Sequence, residues 1–366
     1  MPISINLNYT KSSKDINGDI QYQLNLIKFL NYNNYKINLG IFGISTIFSK
    51  FLLLAGKVLI RLSKKSNLLN QYSTLLYRNY CYSFNKNYEI IFSHYFFPFF
   101  KKKKIIIFSS MGVVYEKYFK EYGNNISFKS DIYFHKYIDK KYNVIFLIWD
   151  KKFAIRTKKI CKIKSPIKIL SPVLGINERV NKNITTQVSK KIKILFIGRN
   201  HNIKGLNYLL EAIYNKKLEK YDFQLDIITS KKINPKNKKI NIFNNVDENF
   251  KNELLRNADI FILPTLADTF GYSLLEAIAY KCAIITSNFY PINKFCRNNN
   301  GFLVRPKKSE DIFKCLNILL KDPKKIQKFK KNSFKLYEEN YSQKLFKKKF
   351  DNICNEIKIN KISSDI

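Results

Sequence analysis

Arginine is scarce in this chain, with eight among the 66 basic residues of a 366-residue sequence whose formal net charge is +39. Because the planar arginine fork is the better match for phosphates and base edges, its shortage argues against reading the charge as a nucleic-acid footprint. A helix-turn-helix pattern and interleaved basic and aromatic stretches are missing too. A basic nucleic-acid-binding protein is therefore the rival reading from another class, and nucleic acid is not an expected partner. The excess is lysine in a background crowded with Asn, Ile, Phe and Tyr, which is what an A/T-rich genome encodes. Apolar runs of about 18 residues, long enough to span a bilayer, do not occur. The opening MPISINLNYTKSSKD lacks the basic-then-apolar order of a secretory leader. The expected location is cytoplasmic, peripheral on the inner face of the cell membrane. The six cysteines form no CxxC pair and have no neighbouring histidine, which excludes a zinc site or disulfide frame as the organising element. There is no GxGxxG fingerprint and no D-x-D at a suitable strand end. No metal and no cofactor are expected.

What is present is enough apolar material for two cores. Hydrophobic residues make up 45% of the chain, and it contains 30 Phe, in a length that suits two domains rather than one. In the first half, strand-like runs fall at ISINLNY, Lys36–Ile41, Glu89–Ser93, Lys104–Ser109 and Asn143–Ile148, with a helix-like run over Ile20–Leu30. Phe51–Lys65 reads as an amphipathic helix with a basic trailing end. Asn177–Lys191 is polar and aperiodic and reads as a linker. In the second half, KIKILFIG, FQLDIIT, DIFILP, AIITS and GFLV alternate with LNYLLEAIYNKKL, ENFKNELLRNA, LLEAIAYKC and SEDIFKCLNILLKD. That alternation implies a parallel, doubly wound sheet with right-handed crossovers. The domain reading is residues 1–180, residues 181–335 and a closing helix, 336–366, returning to the first domain.

Ligands of such sheets sit beyond the carboxyl ends of the strands, and two motifs fall there. GRNHNIKG follows KILFI: Gly198 allows a close strand exit, Arg199 and Lys204 share one loop, and Gly205 opens the next helix. Two cations at a helix N-terminus suit a diphosphate. DTFGYSLLE follows DIFILPT and places Asp268 and Glu276 around a Phe270-Gly271 turn. The same residues also spell S-x-x-E over Ser273–Glu276, a capping box in which Glu276 would serve only its own helix. Taken together, one half of the chain offers cations for phosphates and carboxylates for sugar hydroxyls.

The set Gly198-Arg199…Lys204-Gly205, then Pro264-Thr265…Asp268-Thr269-Phe270-Gly271…Leu275-Glu276-Ala277, resembles the retaining family 4 (group 1) glycosyltransferases. The match covers most of Lys191–Lys321. It implies an α/β GT-B fold, with two doubly wound Rossmann-like parallel-sheet domains facing a central cleft. It also implies that Glu276 holds the donor ribose and Asp268 the transferred sugar. Arg199 and Lys204 would stabilise the departing diphosphate, near the amides of Phe270, Gly271 and Tyr272. Three departures stand out. Gly18, in Asn17-Gly18-Asp19, stands in for a paired-glycine loop. FSSMG (Phe108–Gly112) occupies the place of a histidine, for which His94 is the substitute, set against a plain loop or core role. A glutamate common after the AIITS-type strand is missing from Ser287–Phe295.

The resemblance implies a hexosyltransferase-like enzyme that takes a nucleoside diphosphate sugar as co-substrate and serves cell-surface glycan or glycolipid synthesis. A GT-B sugar phosphorylase and a nucleotide-sugar epimerase are the rival enzymes. The acceptor stays open among a lipid-linked sugar, a lipopolysaccharide core, a protein and a small molecule. Phe51–Lys65 and Lys101–Lys104 point to an anionic membrane surface as a further partner.

Overall fold

The computed structural model describes residues 5–10, 18–35, 37–42, 90–94, 105–113, 125–175, 184–230, 233–235, 237–297 and 299–362. Phe51–Lys65 and Lys101–Lys104 lie outside them. Two compact units emerge: Met1–Gly175 with Gln343–Ile366, and Ile176–Ser342.

The first unit carries β1 (Ile5–Thr10), α1 (Gly18–Tyr32), β2 (Ile37–Phe42), β3 (Ile90–His94), β4 (Ile105–Ser110), α2 (Asn125–Lys141), β5 (Asn143–Ile148), α3 (Lys151–Cys161) and β6 (Ile167–Ile169). Its six strands form one sheet in the order β2-β1-β3-β4-β5-β6, every pairing parallel. β5 is NVIFLI, and Phe146, Leu147 and Ile148 are buried, as a strand covered on both faces requires. α3 begins where Asp150 accepts bonds from the amides of Lys152 and Phe153, closing two of the donors that a helix start leaves open. The last helix, α9 (Gln343–Ile362), belongs to this unit. Phe346 meets Phe29 edge-on at 4.8 Å, Phe350 meets Tyr35 at 5.6 Å, and Asp351 accepts from the Tyr35 hydroxyl.

The second unit runs β7 (Ile192–Ile197), α4 (Leu206–Ile213), β8 (Phe223–Ile228), β9 (Ile240–Phe243), α5 (Glu248–Asn257), β10 (Ile260–Leu263), α6 (Tyr272–Ala279), β11 (Ala283–Ser287), β12 (Gly301–Val304), α7 (Ser309–Lys321) and α8 (Pro323–Tyr341). Its sheet order is β12-β11-β10-β7-β8-β9, again wholly parallel. Chain order reverses between β7 and β10, so their carboxyl ends flank the crevice where such sheets receive ligands. Every residue of β10 and β11 is buried. α8 starts at Pro323 with Asp322 capping Lys325 N, the first-turn position a proline tolerates. Its inner face, Ile326, Phe329, Lys330, Ser333, Leu336 and Tyr337, repeats at helical spacing. A boundary at 335/336 would cut this helix. The passage between units instead falls at Ser342, the one residue separating α8 from α9. No glycine or proline marks it, so the basic helical pattern runs on across the break.

Candidate active site

The loop after β7 and the loop after β10 are joined atom by atom. Leu266 N donates to Ile203 O at 2.7 Å, and the Thr265 hydroxyl lies 3.0 Å from that same carbonyl. Gly205, the N-cap of α4, has φ +76°, and a Cβ built there would lie 2.0 Å from Pro264 O. Only glycine accepts both the left-handed backbone and that approach. At Gly198 a Cβ would meet the Phe196 ring at 2.6 Å and Lys204 Cβ at 2.8 Å. The missing side chain is what lets Lys204 fold inward.

Lys204 turns to Asp268, and its ammonium donates to Oδ2. Oδ1 of the same carboxylate accepts from Phe270 N at 3.1 Å and Gly271 N at 2.9 Å. Burial alone would raise this carboxyl, but the Lys204 ammonium and the two amides outweigh it and hold the group below the ordinary aspartate range. Asp268, expected to face the transferred sugar, thus has both oxygens committed to the protein. The Phe270 and Gly271 amides, expected near the diphosphate, are likewise spent on Asp268. Arg199 is exposed on the first loop, which Ser230 Oγ ties to the end of β8 through Arg199 O at 2.8 Å.

The capping box does not form. The N-cap of α6 is Gly271, so Ser273 lies inside the helix and no cap is made by its side chain. Tyr272 is the first residue of α6, its ring 6.3 Å from Phe270. One turn on, Glu276 reaches not its own helix start but Lys251 of α5, with Oε1 2.5 Å from Nζ. The neighbouring Tyr280 phenol is pushed up to about 12, chiefly by burial, and stays protonated at neutral pH.

Gly18 is the first residue of α1 and His94 the last of β3, both in the first unit. Where the sequence offers FSSMG, the end of β4 is filled by buried hydroxyls. Ser109 Oγ lies 3.0 Å from Tyr22 OH and accepts from Trp149 Nε1 at 3.3 Å, while Ser110 Oγ lies 3.2 Å from His135 Nε2. These tie α1, α2 and the turn after β5 to β4.

Two residues of the second unit escaped the sequence reading. Lys251 is one. Lys294 is the other, standing in the stretch that lacks the glutamate. It is buried, with Nζ 4.2 Å from the Phe270 ring centre, a cation over an aromatic face. Neither bears a mark in the sequence, since each is one lysine among many.

Residues 177–336 match the family of glycosyl transferases group 1. The chain is 30% identical over 186 residues to protein CapJ of Staphylococcus aureus, covering 48% of this chain and 46% of that one. It is 26% identical over 223 residues to N,N'-diacetylbacillosaminyl-diphospho-undecaprenol alpha-1,3-N-acetylgalactosaminyltransferase of Campylobacter jejuni, covering 57% and 58%. It therefore spans about half the length of these curated relatives. In three dimensions it resembles the sucrose-phosphate synthase of Thermosynechococcus elongatus, with TM-score 0.66 at 12% identity over 98% of this chain and 100% of that one. The segment 177–336 thus carries the pattern of the group 1 glycosyltransferases, and the chain has the GT-B fold.

Proposed function

We propose that the chain transfers a sugar from a nucleoside diphosphate sugar to an acceptor hydroxyl, with retention at the anomeric carbon. The observation that carries this reading is the junction of the two loops at the carboxyl ends of β7 and β10, which holds Lys204 against Asp268 with Arg199 on the same loop. Two cations and the positive end of α6 suit a departing diphosphate, whose charge grows as the bond from the anomeric carbon to the phosphate oxygen breaks. The acceptor hydroxyl forms the new bond to the anomeric carbon and passes its proton to the departing diphosphate oxygen. Asp268 orients Lys204 and the Phe270–Gly271 turn, and Glu276 accepts from donor hydroxyls. Fixed protein cations carry the charge, so this route needs no metal.

The name of the Campylobacter jejuni relative describes transfer to a diphospho-undecaprenol-linked sugar. It supports a lipid-linked saccharide as the acceptor class here. Anionic headgroups would then meet the lysines of Phe51–Lys65 and Lys101–Lys104, each contributing about 1 kcal/mol near the surface.

The test is a thermal-shift panel of UDP, GDP and ADP with their sugars, because a ligand of the folded state raises its stability. At least one sugar nucleotide should raise the melting temperature. Turnover of that donor should fall at least tenfold in Lys204→Ala, since one charge-assisted contact is worth about 1.5–3 kcal/mol. Unchanged turnover in a folded Lys204→Ala protein would remove Lys204 from the chemistry. Absence of any shift across the panel would remove the donor site.

A further inference from the structure

Two lysine–carboxylate pairs of the second unit differ in how they are completed. Lys330 and Asp259 form a closed pair, with side chains 4% and 0% exposed. Asp259 Oδ1 takes Lys330 Nζ at 2.8 Å, and Oδ2 takes Lys193 N at 3.0 Å, so each oxygen has a protein partner and both side chains are shut away from solvent. Lys251 and Glu276 are completed only halfway. Their side chains are 15% and 8% exposed. Oε1 of Glu276 is held by Lys251, whereas among the described residues Oε2 has no partner and Lys251 Nζ donates nowhere else. A carboxylate has room for about four bonds and an ammonium has three to give. The pair therefore keeps one acceptor oxygen and two N–H donors side by side, open to whatever reaches this rim.

The position of the pair favours a ligand over a stability role. Lys251 lies in the first turn of α5, which follows β9, and Glu276 lies in α6, which follows β10. Both helices start from carboxyl ends of strands, the side on which the Lys204 loop also lies. Without Lys251 the Glu276 carboxylate could turn either oxygen outward. With it, one oxygen is pinned and the other is presented.

We propose that Lys251 is a specificity-determining residue of the donor site, and that Lys251 and Glu276 together read the vicinal diol of the nucleotide ribose. One hydroxyl donates to Glu276 Oε2, and its neighbour accepts from Lys251 Nζ. This rests on the donor-site reading given above and goes beyond it by adding a second residue and a preference for ribo- over 2′-deoxyribonucleotides.

The test is calorimetric titration of the full chain with UDP, GDP and ADP, then of the tightest binder against its 2′-deoxy counterpart. Wild-type protein should bind the ribonucleotide about tenfold or more tightly, as expected for one lost charge-assisted hydrogen bond. Lys251→Met should lose about the same factor for the ribonucleotide and little for the deoxy form, so the discrimination collapses. The variant also melts earlier because Glu276 loses its partner, but that loss is common to both nucleotides and leaves their ratio as the readout. Lys251→Arg, which keeps the charge, should recover part of it. Equal wild-type affinity for the two sugars would overturn the proposal without any variant. So would a Lys251→Met protein that discriminates as wild type does. Binding of none of the three nucleotides would instead bring down the donor-site reading, and this proposal with it.

Discussion

Asp268→Asn separates the two tasks of one carboxylate. Asparagine can keep its Oδ1 on the amides of Phe270 and Gly271, so the turn into α6 survives. What it replaces is Oδ2, where an amide N–H₂ would now face the Lys204 ammonium. The lost pair is mostly buried, its side chains 21% and 12% exposed, so it belongs above the surface pairs worth about 0–1 kcal/mol. A cost of about 2 kcal/mol follows from the range for hydrogen bonds to charged groups. For a unit of this size that is a fall of roughly 4–8 °C in melting temperature. The pH dependence makes the test specific. Asp268 titrates below its ordinary value in the folded chain. Its contribution is therefore complete above about pH 3.9, the unfolded value, and is lost as pH falls through the folded value. The asparagine variant has nothing to titrate there, and all other carboxylates are common to both proteins. Melting curves from pH 7 to pH 3 should show a wide gap that closes below about pH 4. A gap of the same size at both ends, or no gap at pH 7, would refute the reasoning.

Gly205→Ala should separate the two loops, because its Cβ would overlap Pro264 O at 2.0 Å in a left-handed backbone. Strain of this kind costs about 1–3 kcal/mol before the clash is counted, so we expect a lower melting temperature and loss of nucleotide binding in titration. Lys330→Met leaves Asp259 as a buried, unpaired charge and should cost about 3–5 kcal/mol in urea unfolding. Adding Asp259→Leu should recover much of that loss, and a double variant no more stable than Lys330→Met would contradict it.

Most strands and helices of the second unit, β9 and α8 excepted, could be read from local patterns because each has a local cause. IKILFI and IFIL are apolar without a break, as covered parallel strands must be. The helices after them carry their apolar residues at helical spacing, and Asp247, which accepts from Phe250 N, caps α5 with an oxygen three residues from its donor. The glycine-basic loop and the acid-flanked turn were also legible, since each lies within a few residues of a strand end. Several features of the first unit were not, among them β6, a strand of three residues, and the helices α2 and α3, whose many lysines dilute the apolar pattern.

Partnerships were decided by the tertiary structure alone. S-x-x-E at Ser273 reads as a cap only while the Asp268 side chain is unseen. Asp268 already holds the Phe270 and Gly271 amides, and the helix starts from Gly271. Glu276 had many lysines to choose from in this sequence. It pairs with Lys251, 25 residues away, because the β9–α5 and β10–α6 crossovers bring two helix starts to one rim. Amino-acid order sets which segments can be strands and which charges are available. Which charge meets which depends on the order of strands in the sheet, and that order is set by burial summed over the whole unit, beyond the reach of any local pattern.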